Sequence, residues 1–163
     1  GSIPALVLDD GSSLTEFSAI AWWLARTYPK RKLLPESIAG EVRVLGIMNY
    51  AVHTLHTQGF ARIFTTERFS PSSSDHESVK AQGRQIIDQG FAIINRELEG
   101  RDYVADQFSI ADAALFYVEF WADRTGIPLP ANCAAHYRLM LTRPAVRQVL
   151  AEEGYASVLR QTS

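Results

Sequence analysis

Few residues in this sequence have types and spacing that could do chemistry. His53 and His56 stand three apart, which puts two imidazoles on nearby faces of a helix and invites a metal ion. No Cys, His or HExxH pattern supplies a third ligand, so no metal is expected. In "FSIADAALFYVEFW", Ser109 is placed as a helix N-cap with Asp112 at the N3 position. The hydroxyl can accept from the Asp112 backbone N–H, and the carboxylate can reach back to the Ser109 N–H at the positive helix end. Phe108 is placed to staple that turn. This is the chemistry of folding rather than of catalysis. In "LTEFSAI", an extended run becomes a helix whose first N–H groups lack intrahelical partners and attract an anion. Glu16 beside them either holds a ligand's ammonium group or complements the helix dipole. In "SIPAL", Pro4 is either an ordinary trans proline at the start of a strand or a cis turn. A cis turn leaves backbone groups facing outward to pair with an extended ligand.

The remaining signals are weaker. Tyr117, Phe120 and Trp121 form a stripe that reads as core or pocket wall. Arg62 and Arg68 among the aromatics of "FARIFTTERF" do not amount to a nucleic-acid site. No phosphate loop, nucleophile elbow or kinase signature occurs.

The elements that must position these residues follow from periodicity. Residues 5–9 are apolar and β-favouring, "DDGSS" is a turn, and Leu14–Thr15 continues extended. From Glu16 the period becomes helical through Ala19, Ile20, Trp23, Leu24 and Thr27, ending before Pro29. "PKRKLLPES" is a linker. Beyond it, helices are expected over 41–69, 76–98, 109–123, 132–141 and from Pro144 to Gly154, where proline opens and glycine closes the last. The first carries Val44, Leu45, Met48, Val52, Leu55 and Gly59 on one stripe. The expected class is mostly α: a ββα piece over 1–34, then an all-helical domain of about five helices over 40–163. The bundle can bury a core by itself, and the ββα piece cannot.

Composition excludes several classes. Hydrophobic residues are 47% and charged residues 21%, the balance of a soluble globular protein. Net charge is −2 and the pI about 6.1, with Lys and Arg scattered, so neither nucleic acid nor an anionic membrane is an expected partner. The one cysteine, Cys133, allows no internal disulfide, which fits a reducing cytoplasm. No apolar run reaches the ~20 residues of a membrane span, and no signal peptide is visible in the residues shown.

With the motifs laid out, the chain resembles cytosolic glutathione transferases. "IPALVLDDGSSLTEFSAIAWWLARTYPKRKLLPE" is similar to the second half of their thioredoxin-like domain: an X–Pro, a strand pair, Glu/Gln-Ser-x-Ala-Ile opening a helix, then Tyr-Pro and Leu-Leu-Pro. "FSIAD" resembles the N-capping box of the family's sixth helix, and "RPAVRQVLAEEG" its C-terminal helix. The likeness covers essentially the whole chain and is strongest to the bacterial members, with the beta class among the relatives.

The resemblance implies a glutathione site made by Ile3 and Pro4, which would pair with the cysteinyl part, and by Glu16 and Phe17 at the γ-glutamyl end. Phenylalanine stands at position 17 where the family has serine, and Ser18 falls one place late. Asn49 and His56 match an asparagine and a histidine that beta-class members use. Phe64, Tyr117 and Trp121 would wall a pocket for the apolar substrate. The family's fold begins with a β-α-β segment carrying a catalytic Tyr, Ser or Cys. That segment is not in the residues shown, so no catalytic residue is assigned. The implied activity is conjugation of glutathione, the co-substrate, to electrophilic small molecules by a cytoplasmic, detoxifying homodimer that needs no metal. The alternative is a non-catalytic glutathione-transferase-like binding or scaffold protein, which Phe17 mildly favours.

Overall fold

The structure is a computed structural model and describes residues 4–160. Strands β1 (Ala5–Val7) and β2 (Ser13–Thr15) pair antiparallel with Leu6 opposite Leu14. The reversal is set locally. Gly11 takes φ 83°, which suits a residue without Cβ. The Asp10 carboxylate accepts from the Ser12 N–H at 2.9 Å, and the Leu8 N–H donates to Ser12 O at 2.8 Å. Only Leu6 and Leu14 of the two strands are half-buried, on the side where α1 (Phe17–Thr27) packs.

Ala21 and Ala25, the buried face of α1, join the core of the helical domain. The linker is also tied down: the Ile110 N–H donates to Leu33 O at 3.1 Å, and Gln107 donates to Lys32 O at 2.9 Å. Helix α2 (Ile38–Asn49) starts three residues earlier than periodicity suggested, because the Ser37 hydroxyl caps it, accepting from the Gly40 N–H at 3.1 Å. Its Glu41 accepts from Trp22 Nε1 at 2.8 Å and pairs with Arg26, bolting α1 to α2.

The long helix does not keep one winding. From Tyr50 to Phe60 it is π-helical, and α3 (Ala61–Phe64) closes it. The Ala61 N–H donates to His56 O and the Thr57 hydroxyl to Val52 O, both five residues back. It ends before position 69 because Thr65 leaves helical geometry and a short 3-10 turn, Thr66–Arg68, follows. A π segment of this length is uncommon. It lies where α4 (His76–Glu97) comes closest. A Cβ on Gly83 would stand 2.8 Å from Gly59 O, and one on Gly90 would stand 2.5 Å from Leu55 Cδ2. The missing side chains let the two backbones approach.

Helices α5 (Ile110–Thr125), α6 (Ala131–Thr142) and α7 (Pro144–Glu152) complete the bundle. Gly126, at φ 69°, stops α5. The main core gathers Val44, Met48, Leu55, Phe60, Ile87, Phe91, Ile94 and Leu115, all essentially inaccessible to water. Each such side chain contributes roughly 1.5–3 kcal/mol by leaving water. A second cluster, Phe120, Tyr137, Leu141, Leu150 and Val158, forms where α6 and α7 cover the end of α5.

Candidate functional site

The strand-to-helix junction carries the clearest functional geometry. Glu16 has φ 69° and ψ 122°, and its side chain makes no capping bond. A non-glycine residue at positive φ is held there against a steric cost of about 1–3 kcal/mol, and such residues concentrate at ligand sites. The twist starts α1 abruptly. The Ile20 N–H is the first to bond back, to Glu16 O at 3.1 Å. The N–H groups of Phe17, Ser18 and Ala19 are therefore left without intrahelical acceptors, at the positive end of the helix dipole.

Phe17 does not point out from this turn. It is half-buried and packs against the main core. The replacement of serine by phenylalanine removes a hydroxyl and adds core contact, while the backbone N–H stays where it is. The neighbouring Ser18 faces the helical domain, its hydroxyl donating to Asn49 Oδ1 at 3.0 Å. Ser18 thus joins the Glu16–Phe17 turn to Asn49, the last residue of α2. Pro4 precedes β1, which packs on α1. Ile3 lies outside the described residues.

The other site residues from the sequence form a second group. The His56 ring meets Tyr117 edge-on at 5.2 Å between centroids, Tyr117 meets Trp121 at 6.2 Å, and Trp121 meets Phe64 at 5.0 Å. Phe64 and Tyr117 are each 45% exposed, so two ring surfaces border a half-buried indole and remain open to a ligand. The Trp121 N–H is shielded from solvent and has no acceptor among the described residues. Burial lowers the pKa of His56 below its usual 6.5, which keeps the ring neutral at pH 7. His53 turns back on its own helix, with Nδ1 3.1 Å from Asn49 O. Cavities of about 450 and 590 Å³ lie elsewhere, one between α5 and α6 beside Tyr137 and the other along the linker beside Leu34.

Asp112 does more than cap. It forms a capping box with Ser109, whose N–H and hydroxyl both donate to Oδ2 at 2.7 Å. Oδ1 accepts from the Val104 N–H at 2.8 Å and lies 3.2 Å from His136 Nε2. The other ring nitrogen, Nδ1, is 2.8 Å from Glu119 Oε2. All three side chains are buried. Phe108 lies under the Arg143 guanidinium, 3.6 Å from ring centroid to Cζ.

Periodicity carried a signal for this cluster. Glu119 falls in phase with Asp112, Leu115 and Ala122 on the buried stripe of α5, and His136 with Cys133 and Met140 on that of α6. Among the described residues no group of three His, Cys, Asp or Glu could hold a metal ion. In this cluster the two carboxylates flank opposite edges of the imidazole and converge on no shared centre. Burial pushes the Cys133 thiol up to about 12, so it is not a thiolate at neutral pH.

Comparison with known proteins places this architecture. The family described as "Glutathione S-transferase, C-terminal domain" matches residues 77–152. Glutathione S-transferase GstA of Escherichia coli O157:H7 is 35% identical over 161 residues, covering 94% of this chain and 75% of GstA. A sphingomonad glutathione S-transferase solved in complex with glutathione superposes with TM-score 0.78 at 31% identity, over 94% of this chain and 74% of that one. The bacterial beta-class enzyme of Sphingomonas chungbukensis gives TM-score 0.78 at 28% identity, over 94% and 75%. The strand pair, α1 and the bundle thus correspond to half of a thioredoxin-like domain followed by an all-helical domain. The chain belongs to the glutathione S-transferase family, and these matches are to its bacterial members. No helix among the described residues is long and apolar enough to cross a membrane.

Proposed function

We propose that this chain binds glutathione and serves its conjugation to apolar electrophilic small molecules. The observation that carries the proposal is the Glu16 turn, a positive-φ residue that leaves the first amides of an eleven-residue helix uncapped. In this reading those amides receive the α-carboxylate of the γ-glutamyl group, and the Glu16 carboxylate holds its ammonium. Asn49, oriented by Ser18, adds a donor from the helical domain. Ile3 and Pro4 pair with the cysteinyl backbone. The electrophile lies against Phe64, Tyr117 and Trp121, with neutral His56 at one edge.

In the reaction, the glutathione thiol loses its proton and a bond forms between sulfur and the electrophilic carbon. Either a leaving group departs with its electron pair, or the carbanion formed by addition takes up a proton. Only the thiolate is nucleophilic. The residues named here bind and orient, and the ionisation of the thiol is assigned to none of them. The glutathione-bound sphingomonad relative supports the ligand, and the transferase GstA supports the reaction class.

Calorimetry with glutathione, alongside a spectrophotometric conjugation assay, tests the reading. Binding is expected, with Glu16→Ala weakening it at least tenfold. No binding at millimolar glutathione would overturn the reading in favour of a non-catalytic scaffold. The same proposal includes a cytoplasmic, detoxifying homodimer meeting through the outer faces of the first two long helices. Ile38 and Val42 on α2 are 81% and 61% exposed there. Light scattering on a size-exclusion column would show a dimer mass that Val42→Glu reduces.

A further inference from the structure

The Asp112–His136–Glu119 cluster plays no part in that reading, yet its proton inventory is determined by geometry. Asp112 takes three hydrogen bonds from Val104 and Ser109. A carboxylate surrounded by donors can only accept, so His136 Nε2 carries a hydrogen and gives it to Oδ1 at 3.2 Å. This leaves Nδ1 facing Glu119 Oε2 at 2.8 Å. Two lone pairs repel at that distance, so one more proton must lie between them, on nitrogen or on oxygen. An unfolded chain at pH 8 has a neutral imidazole with one hydrogen and an ionised glutamate, and lacks that proton.

We propose that the cluster is a proton-binding latch: folding captures one proton between His136 and Glu119, and that proton fastens α6 to α5. Without it, two carboxylates and an uncharged ring would share a site from which water is excluded. His136 and Glu119 are 2% and 0% exposed, so solvent does not screen the repulsion. Glu119 Oε1 is buried without a partner among the described residues and offers a place for a second proton in acid.

Among the described residues, no charge outside the cluster shifts His136 or Glu119. The charges acting on His136 and Glu119 are each other's and that of Asp112. On α6, Cys133 and Tyr137 feel Glu119 in return. From the preceding loop Tyr103 presents a ring edge-on to His136 at 6.4 Å, with Arg143 over that ring. Arg43 of α2 reaches Val104 O. Burial works against a charged His136, but the bonds it donates to Asp112 and Glu119 and their negative charges outweigh it and raise the imidazolium pKa to about 9. Burial raises Glu119 to about 7 against the pull of His136. Both groups bind protons more tightly folded than unfolded. The stabilisation is therefore complete below the unfolded values and is lost as pH rises through about 9.

The test is urea unfolding of the whole chain between pH 7 and 9, compared with Glu119→Gln. The side-chain amide introduced by that substitution can donate to Nδ1 of a neutral ring, so the latch closes with no extra proton. In the unsubstituted chain the folding constant should fall about tenfold more per pH unit than in the variant, both sharing the smaller loss above pH 8 that comes from Cys133, whose thiol stays protonated when buried. Equal slopes would overturn the proposal. If the variant does not fold, proton uptake on refolding the unsubstituted chain at pH 8, read with an indicator dye, decides. One proton per chain is expected, and zero refutes the latch.

Discussion

Replacing Asp112 by alanine should be among the most damaging single changes in the chain, and its size can be worked from the hydrogen bonds. Four donors lose their acceptor: the Val104 N–H, the Ser109 N–H and hydroxyl, and His136 Nε2. Asp112 is 0% exposed, so water does not replace it without entering the core. A buried donor left unpaired costs about 1–3 kcal/mol. The serine hydroxyl can rotate away, and one water can enter the space left by the carboxylate. Removing one member of a buried charge cluster then costs about 3–5 kcal/mol in total. Loss of an N-cap alone would cost about 1 kcal/mol. Against a typical total of about 5–15 kcal/mol, the larger figure removes much of the stability. Urea unfolding followed by tryptophan fluorescence should show the midpoint falling by about 2 M, with the slope m unchanged at about 2 kcal/mol/M. Asp112→Asn keeps one acceptor but turns an amide N–H toward the Ser109 N–H, and should lie between the two. A loss near 1 kcal/mol for Asp112→Ala would show that Asp112 only caps and would refute the network reasoning.

Gly83→Ala should destabilise by about 1–3 kcal/mol despite alanine's better helix propensity, because its Cβ meets Gly59 O at 2.8 Å and backbone must move. Gly46→Ala, on an open face of α2 with nothing within 4 Å, should instead stabilise by about 0.4–1 kcal/mol; thermal unfolding of the pair checks both. His56, lowered by burial, should titrate below 6.5 by NMR. Its contribution is present above the unfolded pKa and lost as pH falls through the folded value, so His56→Gln should remove part of the acid limb of the stability profile. Phe17→Ser should tighten glutathione binding severalfold, measured by calorimetry, while lowering stability by about 1–2 kcal/mol for lost core contact; weaker binding would refute the placing of Phe17 at the γ-glutamyl position.

Much of the fold was legible because it rests on local rules. Proline and glycine mark the ends of α7 and α5, and apolar spacing gave the helices of the bundle to within a few residues. Their class and order needed no long-range information. The winding of 50–60 was not legible. Its apolar stripe fits 3.6 residues per turn, and the π geometry lies where Gly59, Gly83 and Gly90 bring two distant segments into contact. At the candidate site, residue types marked Glu16 and the Asp112 box. That Phe17 turns inward while Ser18 reaches Asn49 depends on how α1 sits on α2.

The sequence by itself determined which segments are strand or helix and which faces are apolar, because these follow from steric preferences and periodicity within a few residues; the end of the first long helix, expected at 69 and found at Phe64, was not fixed in this way. Only the tertiary structure decided the partners of the polar residues. Glu119 and His136 are seventeen positions apart and their hydrogen bond is buried. In the sequence they are two scattered titratable groups. Packed together without water they must share a proton, since a low-dielectric interior tolerates charge only where another group balances it.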